Sequence, residues 1–218
     1  MKVQVAISVL MALQTNCGKH SIISLSHDNG QKIIALQPLE GYDTTRLTAV
    51  GSEISAFFHT RVMILDPISV PKSFYSANTN SPGNDGYFAD SLLQFLSRFV
   101  NDSIVKIVGI TNTNIYTLKR YDVPTDKKTT ELYEPHSIFG FGYIDGNASI
   151  VSEYRLQSVD KSLFENRLKK VILHELGHNL GLPHCSVDTC LMSETNGDIV
   201  KLNKTGGNYC KNCRRKLN

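Results

Sequence analysis

The 218-residue chain is 41% hydrophobic, 8% aromatic and 20% charged, a balance that suits one domain with a core and excludes a disordered chain. Lys and Arg total 23 against 20 acids, a formal net charge of +3, so no nucleic acid partner is indicated. The longest apolar run, residues 3–13, is broken by Gln4 and Ser8 and is shorter than the ~20 residues that span a bilayer.

Residues 1–16 pair one positive charge, Lys2, with that apolar run and read as a lipoprotein-like export signal. Cys17 stands where a lipid would be attached, although Gln14 and Asn16 depart from the usual residues there, and residues 17–31, rich in Ser, Gly, His, Asp and Asn, read as a tether. The competing reading is a first β-strand, since residues 3–9 partly alternate. The expected location is therefore outside the cytoplasm, anchored to the envelope through Cys17, with a cytoplasmic chain as the alternative.

From residue 32 onward the apolar pattern predicts an ordered domain. Ile33-Ile34-Ala35-Leu36 reads as a buried strand. Leu47, Val50, Ile54, Phe57 and Phe58 recur at helical spacing after Asp43, the expected N-cap. Residues 61–65 read as a second strand, 67–85 as a Pro- and Asn-rich loop, 88–99 as a second amphipathic helix and 104–110 as a third strand, giving the order βαβαβ. The polar stretch 119–135 reads as a surface loop, and residues 137–144 and 148–154 as a hairpin turning at Asp145-Gly146. Residues 160–180 read as one long helix stopped by Gly181 and Pro183, followed by short irregular chain. The class expected is α+β (mixed α/β).

Four of the five cysteines, Cys185, Cys190, Cys210 and Cys213, fall in the last 34 residues, spaced C-x4-C and C-x2-C. Those spacings suit a tetrahedral zinc site, with disulfide pairing as the alternative. On the long helix, His174-Glu175-Leu176-Gly177-His178 is H-E-x-x-H, whose four-residue step puts both imidazoles on one face. The run continues to His184 as H-E-x-x-H-x-x-G-x-x-H. A straight helix would carry His184 about 9 Å along the axis from His178, so the chain must turn back, and Gly181 can take the left-handed conformation that does so. Three imidazoles leave a fourth zinc position open, which is the arrangement of a catalytic site. Glu175, adjacent to a ligand without being one, is the expected general base for peptide-bond hydrolysis. His20, His27, His59 and His136 are isolated and read as ordinary surface or core residues.

The whole stretch from His174 to Cys213 resembles the archaemetzincins, a metzincin-like family of zinc peptidases. Their signature H-E-x-x-H-x-x-G-x-x-H-C-x4-C-x-M-x17-C-x-x-C is matched without a gap. The likeness extends upstream through Ile110-Thr111, residues 137–142 and residues 150–156, and covers residues 32–218. It implies a metzincin-like domain with a twisted mixed sheet, an active-site helix and a small zinc-stabilised C-terminal part. It implies two zinc ions: a catalytic one on His174, His178 and His184 with Glu175 as base, and a structural one on Cys185, Cys190, Cys210 and Cys213. Met192 matches the methionine beneath the metal, and strand 148–154 the strand bordering the cleft, to whose edge an extended peptide could add. The expected function is a zinc-dependent metallopeptidase acting on a peptide or protein substrate, with an aminopeptidase mode suggested by the family. The alternative is a zinc-stabilised, non-enzymatic peptide-binding or envelope protein. A monomer is expected.

Overall fold

The computed structural model describes residues 32–77, 85–124 and 129–217. The expected signal, Cys17 and the tether lie outside the described residues. In chain order the elements are β1 (Ile33–Pro38), α1 (Leu47–Phe58), β2 (Arg61–Ile64), β3 (Tyr75–Ser76), β4 (Gly86–Phe88), α2 (Ala89–Leu96), β5 (Ile104–Thr111), β6 (Ile115–Pro124), β7 (Thr129–Ile138), β8 (Gly140–Gly142), β9 (Ala148–Ser152), α3 (Lys161–Asn179), α4 (Ile199–Lys204) and α5 (Lys211–Lys216).

Strand β1 is buried at all six positions, as the apolar run Ile33–Leu36 suits in a strand covered on both faces. Alternation sorts its side chains. Ile34 and Leu36 join Val108, Ile110 and Val151 in a core completed by Val50 and Ile54 of α1 and Leu168, Ile172 and Leu176 of α3. Ala35, Ile107 and Ile150 point the other way, into a second core with Leu92 and Leu96 of α2. The result is a five-stranded sheet, β2-β1-β5-β9-β8, with α1 and α3 on one face and α2 on the other. Its first four strands are parallel and β8 runs antiparallel to β9. None of the described helices is long and apolar enough to cross a membrane.

Three expectations are corrected here. Residues 119–124 and 129–135 are not a loop. They belong to two strands, β6 and β7, that pair antiparallel from Ile115↔Ile138 to Pro124↔Thr129, within a second sheet ordered β3-β4-β6-β7. Its outer residues Leu118, Leu132 and Tyr133 are exposed, so the apolar-polar alternation of a half-buried strand is missing, and cross-strand pairs such as Arg120 with Glu131 at 3.1 Å join the arms instead. The second correction concerns the cleft strand. Strand β9 has β5 on one side and β8 on the other, so it has no free edge, and the edge strand at that end of the sheet is β8. Residues 137–138, expected in the short hairpin, instead end β7.

Within the expected loop 67–85 a two-residue strand, β3, pairs antiparallel with β4, and the remaining elements follow the sequence closely. Asp43 caps a 3-10 turn that leads into α1, and Asp160 caps α3 by accepting from the backbone N–H of Ser162 and Leu163 at 2.9 and 3.2 Å. The C-terminal end of α3 is a Schellman turn: Gly181 (φ 89°) donates to His178 O, and Leu182 to Gly177 O, each at 2.9 Å. Beyond it the chain is largely irregular, apart from α4 and α5.

Candidate metal centre

Helix α3 lays His174, Glu175 and His178 along a cleft of about 950 Å³, and the Schellman turn brings His184 back to join them. The three rings stand 4.7, 5.3 and 4.8 Å apart between centroids, and one nitrogen of each lies within 4.8 Å of the others. Nδ1 of His174 faces Leu191 O and Nδ1 of His178 faces Leu182 O, both at 2.8 Å. A carbonyl only accepts, so each Nδ1 carries the proton and each Nε2 keeps a lone pair free. Burial holds both rings neutral, pushing the His174 pKa down to about 3 and lowering that of His178. Neutral, pre-oriented imidazoles with convergent lone pairs are what a zinc ion needs.

Glu175 is 5% exposed and projects at the cleft wall against β8. Burial raises its carboxyl pKa to about 8. A Cβ built on Gly140 would stand 2.6 Å from Glu175 Oε1 and 2.8 Å from its Cγ, so the absence of a side chain at Gly140 makes room for the carboxylate. Gly177 plays the same part behind the histidines, where a Cβ would collide with Met192 Sδ. Met192 is thus packed, fully buried, directly beneath α3.

The second cluster forms at the C-terminal end. Cys185, Cys190, Cys210 and Cys213 are free thiols whose sulfurs all lie within 4.8 Å of one another. The Cys185–Cys210 and Cys190–Cys213 separations are 3.8 and 3.7 Å, far from a disulfide bond. They match the ~3.8 Å edge of a tetrahedron with ~2.3 Å zinc–sulfur bonds, so the donor set fits zinc rather than the disulfide alternative. The Cys213 backbone N–H, bonded to the Cys210 sulfur, pulls the Cys210 pKa down to about 6, while burial raises those of Cys190 and Cys213.

All residues singled out from the sequence as ligands or base therefore converge as two groups. What the sequence did not single out is the opposite wall of the cleft, where Thr117, Leu118, Lys119 and His136 of the β6–β7 hairpin stand. His136, treated as isolated, is a cleft residue, because a hairpin not recognised as such carries it there. Glu194 and Gly140 also went unnoticed. The spacing Gly140-x-Gly142 on one strand face was the available signal for a close helix approach.

Comparison with known proteins agrees with this geometry. The sequence profile of peptidase family M54 matches residues 50–218. An archaemetzincin of Natronomonas pharaonis is 28% identical over 176 residues, covering 77% of this chain and 88% of that protein. Another, from Pyrococcus horikoshii, is 36% identical over 95 residues, 40% of this chain and 50% of that one. Among solved structures, the archaemetzincin of Archaeoglobus fulgidus complexed with malonate has a TM-score of 0.66 at 24% identity, covering 84% of this chain and 99% of that one. The fold expected from the signature is thereby observed, and the peptidase reading is favoured over the non-enzymatic alternative. The chain belongs to peptidase family M54, the archaemetzincins, and is a zinc metallopeptidase.

Proposed function

We propose that His174, His178 and His184 hold the catalytic zinc, that Glu175 is the general base, and that Cys185, Cys190, Cys210 and Cys213 hold a second, structural zinc, giving two per chain. The observation that carries this is the placement of Glu175: one residue beyond His174, it lines the cleft the three imidazoles face, yet stands against Gly140 rather than among them. When bound, zinc supplies a Lewis acid for a water and for the scissile carbonyl. Glu175 accepts the proton of the attacking water at a carboxylate oxygen and passes it to the leaving amine. The walls of β8 and the β6–β7 hairpin bound the space for an extended peptide, and the free edge of β8 offers backbone pairing.

The test is Glu175→Gln, which should keep both zinc ions and lose peptidase activity on a peptide library by at least ~100-fold. Full activity in that variant removes Glu175 from the mechanism. The same digestion distinguishes removal of terminal residues from internal cleavage. For the N-terminal region the proposal is that residues 1–16 are an export signal and 17–31 a tether, with Cys17 lipidated at the envelope and the catalytic unit, residues 32–218, acting as a monomer. The pattern of Lys2, the apolar run and Cys17 supports it. Mass spectrometry of the protein from its host tests it, and an unmodified N-terminus at Met1 or Lys2 in a soluble fraction overturns it.

A further inference from the structure

The three imidazoles of the cleft are not held alike. His174 and His178 sit on α3 with Nδ1 on backbone carbonyls, whereas His184 lies on the following loop with its side chain 46% exposed, and among the described residues no carbonyl accepts from its ring. What faces its Nδ1 is Oε1 of Glu194, 3.7 Å away. That juxtaposition is built into the backbone. Cys185 donates to Met192 O at 2.8 Å and bridges Ser193 in parallel. In extended chain, residues next to a bridged pair project to the opposite face from it. Cys185 accordingly turns into the thiol cluster, while His184 and Glu194 both turn into the cleft.

The geometry points to Glu194 as a positioning residue for the third imidazole, its carboxylate accepting the Nδ1–H of His184 while Nε2 binds zinc. Closing from 3.7 Å to the ~2.8 Å of a charge-assisted hydrogen bond takes a shift of about 0.9 Å in a side chain that is 53% exposed. A carboxylate in that place fixes the tautomer, orients the ring and raises its basicity as a ligand. The effect matters most at His184, since the other two rings are already fixed by the helix and by core carbonyls. The same 3.7 Å pair with no metal to organise it would be a solvated surface contact of little consequence, so the two views differ in a measurable quantity.

The inference rests on His184 being a zinc ligand, and the experiment separates the two. Zinc affinity at the histidine site is measured on the full chain by competition with a chelator, while the reactivity of the four thiols reports separately on the cysteine site. Glu194→Ala is expected to weaken zinc binding at the histidines about 10- to 100-fold, Glu194→Gln by less, with Glu194→Asp recovering part of the loss and thiol reactivity unchanged throughout. In a His184→Ala background, Glu194→Ala should have no further effect, which a general contribution to loop stability would not produce. Glu194→Ala and Glu194→Gln both within twofold of the parent, with His184→Ala weakened, overturn the role of Glu194 and leave the three-histidine site intact. An undiminished Glu194→Ala effect in the His184→Ala background overturns it equally. A His184→Ala protein with parental affinity removes the three-histidine reading itself.

Discussion

Gly140→Ala is the sharpest probe of how the fold aims Glu175, the proposed base. The added Cβ would stand 2.6 Å from Glu175 Oε1 and 2.8 Å from Cγ, where ordinary contact begins at 3.4 Å, so the side chain must retreat by roughly 0.6–0.8 Å. The obstacle is side chain from Cγ outward rather than backbone, so the carboxylate gives way and the strand does not. An off-rotamer Glu175 costs about 0.5–1.5 kcal/mol, and the lower chain entropy of Ala relative to Gly offsets about 0.4–1 kcal/mol. Net stability should therefore stay within about 1 kcal/mol of the parent. Chemistry is less forgiving: a displacement near 1 Å in a positioned group costs on the order of 100-fold, about 2.7 kcal/mol of transition-state stabilisation. The assay is kcat/KM on one cleaved peptide, with zinc content and thermal unfolding measured on the same preparation. The expected pattern is full zinc, near-parental stability and activity approaching the Glu175→Gln floor. Activity within threefold of the parent, with zinc retained, would show that the position of the Glu175 carboxylate does not govern turnover.

Three further outcomes follow from contacts of other kinds. Gly177→Ala drives a Cβ into Met192 Sδ and to 3.1 Å from Tyr209 Oη, both in the buried floor, so it should lower stability by about 1–3 kcal/mol; an unchanged denaturation midpoint contradicts it. Lys106 Nζ donates to Asn179 O at 2.7 Å and Gly146 O at 2.6 Å, so Lys106→Met leaves one carbonyl at the end of α3 and one in the β8–β9 turn without that partner and should cost about 2–3 kcal/mol in urea unfolding, unlike a surface lysine change. Cys213→Ser should leave one zinc per chain by elemental analysis and expose the C-terminal segment to proteolysis, since a structural zinc contributes roughly 10 kcal/mol or more of folding free energy. Two zinc ions and an intact C-terminal part in that variant refute the four-thiolate site.

How legible each part was depends on whether its partners are near in sequence. Both clusters lie within residues 174–213, and the helical step between His174 and His178, the positive φ of Gly181 and the C-x2-C spacing are local facts that translate directly into geometry. Strands β1 and β5 were readable because burial on both faces leaves an apolar run. The β6–β7 hairpin was not, because much of its outer length is solvated and a strand without a buried face carries no apolar period, even with Thr and Tyr enriched in it. The edge position of β8 was equally hidden. Residues 148–152 of the expected 148–154 form a strand, but which neighbours it takes is fixed by pairing with β5, some forty residues earlier. The contacts of Gly140 with Glu175 and of Glu194 with His184 exist only after those long-range choices are made.

The compact order of the signature then has a physical reason. Each of three cysteines is chained to the histidine site by its sequence neighbour. Cys185 follows His184 directly. Cys190 precedes Leu191, whose carbonyl accepts from His174 Nδ1 at 2.8 Å. Cys210 follows Tyr209, whose hydroxyl donates to Leu173 O at 2.7 Å, one residue before His174. A tetrahedral thiolate knot at these four positions would therefore fix the loop carrying the third imidazole, the acceptor that orients the first, and the back of α3. Only one of the three histidines needs that help through the chain itself, because α3 sets the spacing of the other two. On the two-zinc proposal, a second metal beside the first would make a loop ligand as rigid as a helical one, and the half-exposed Glu194 would act on the same ring from the opposite side.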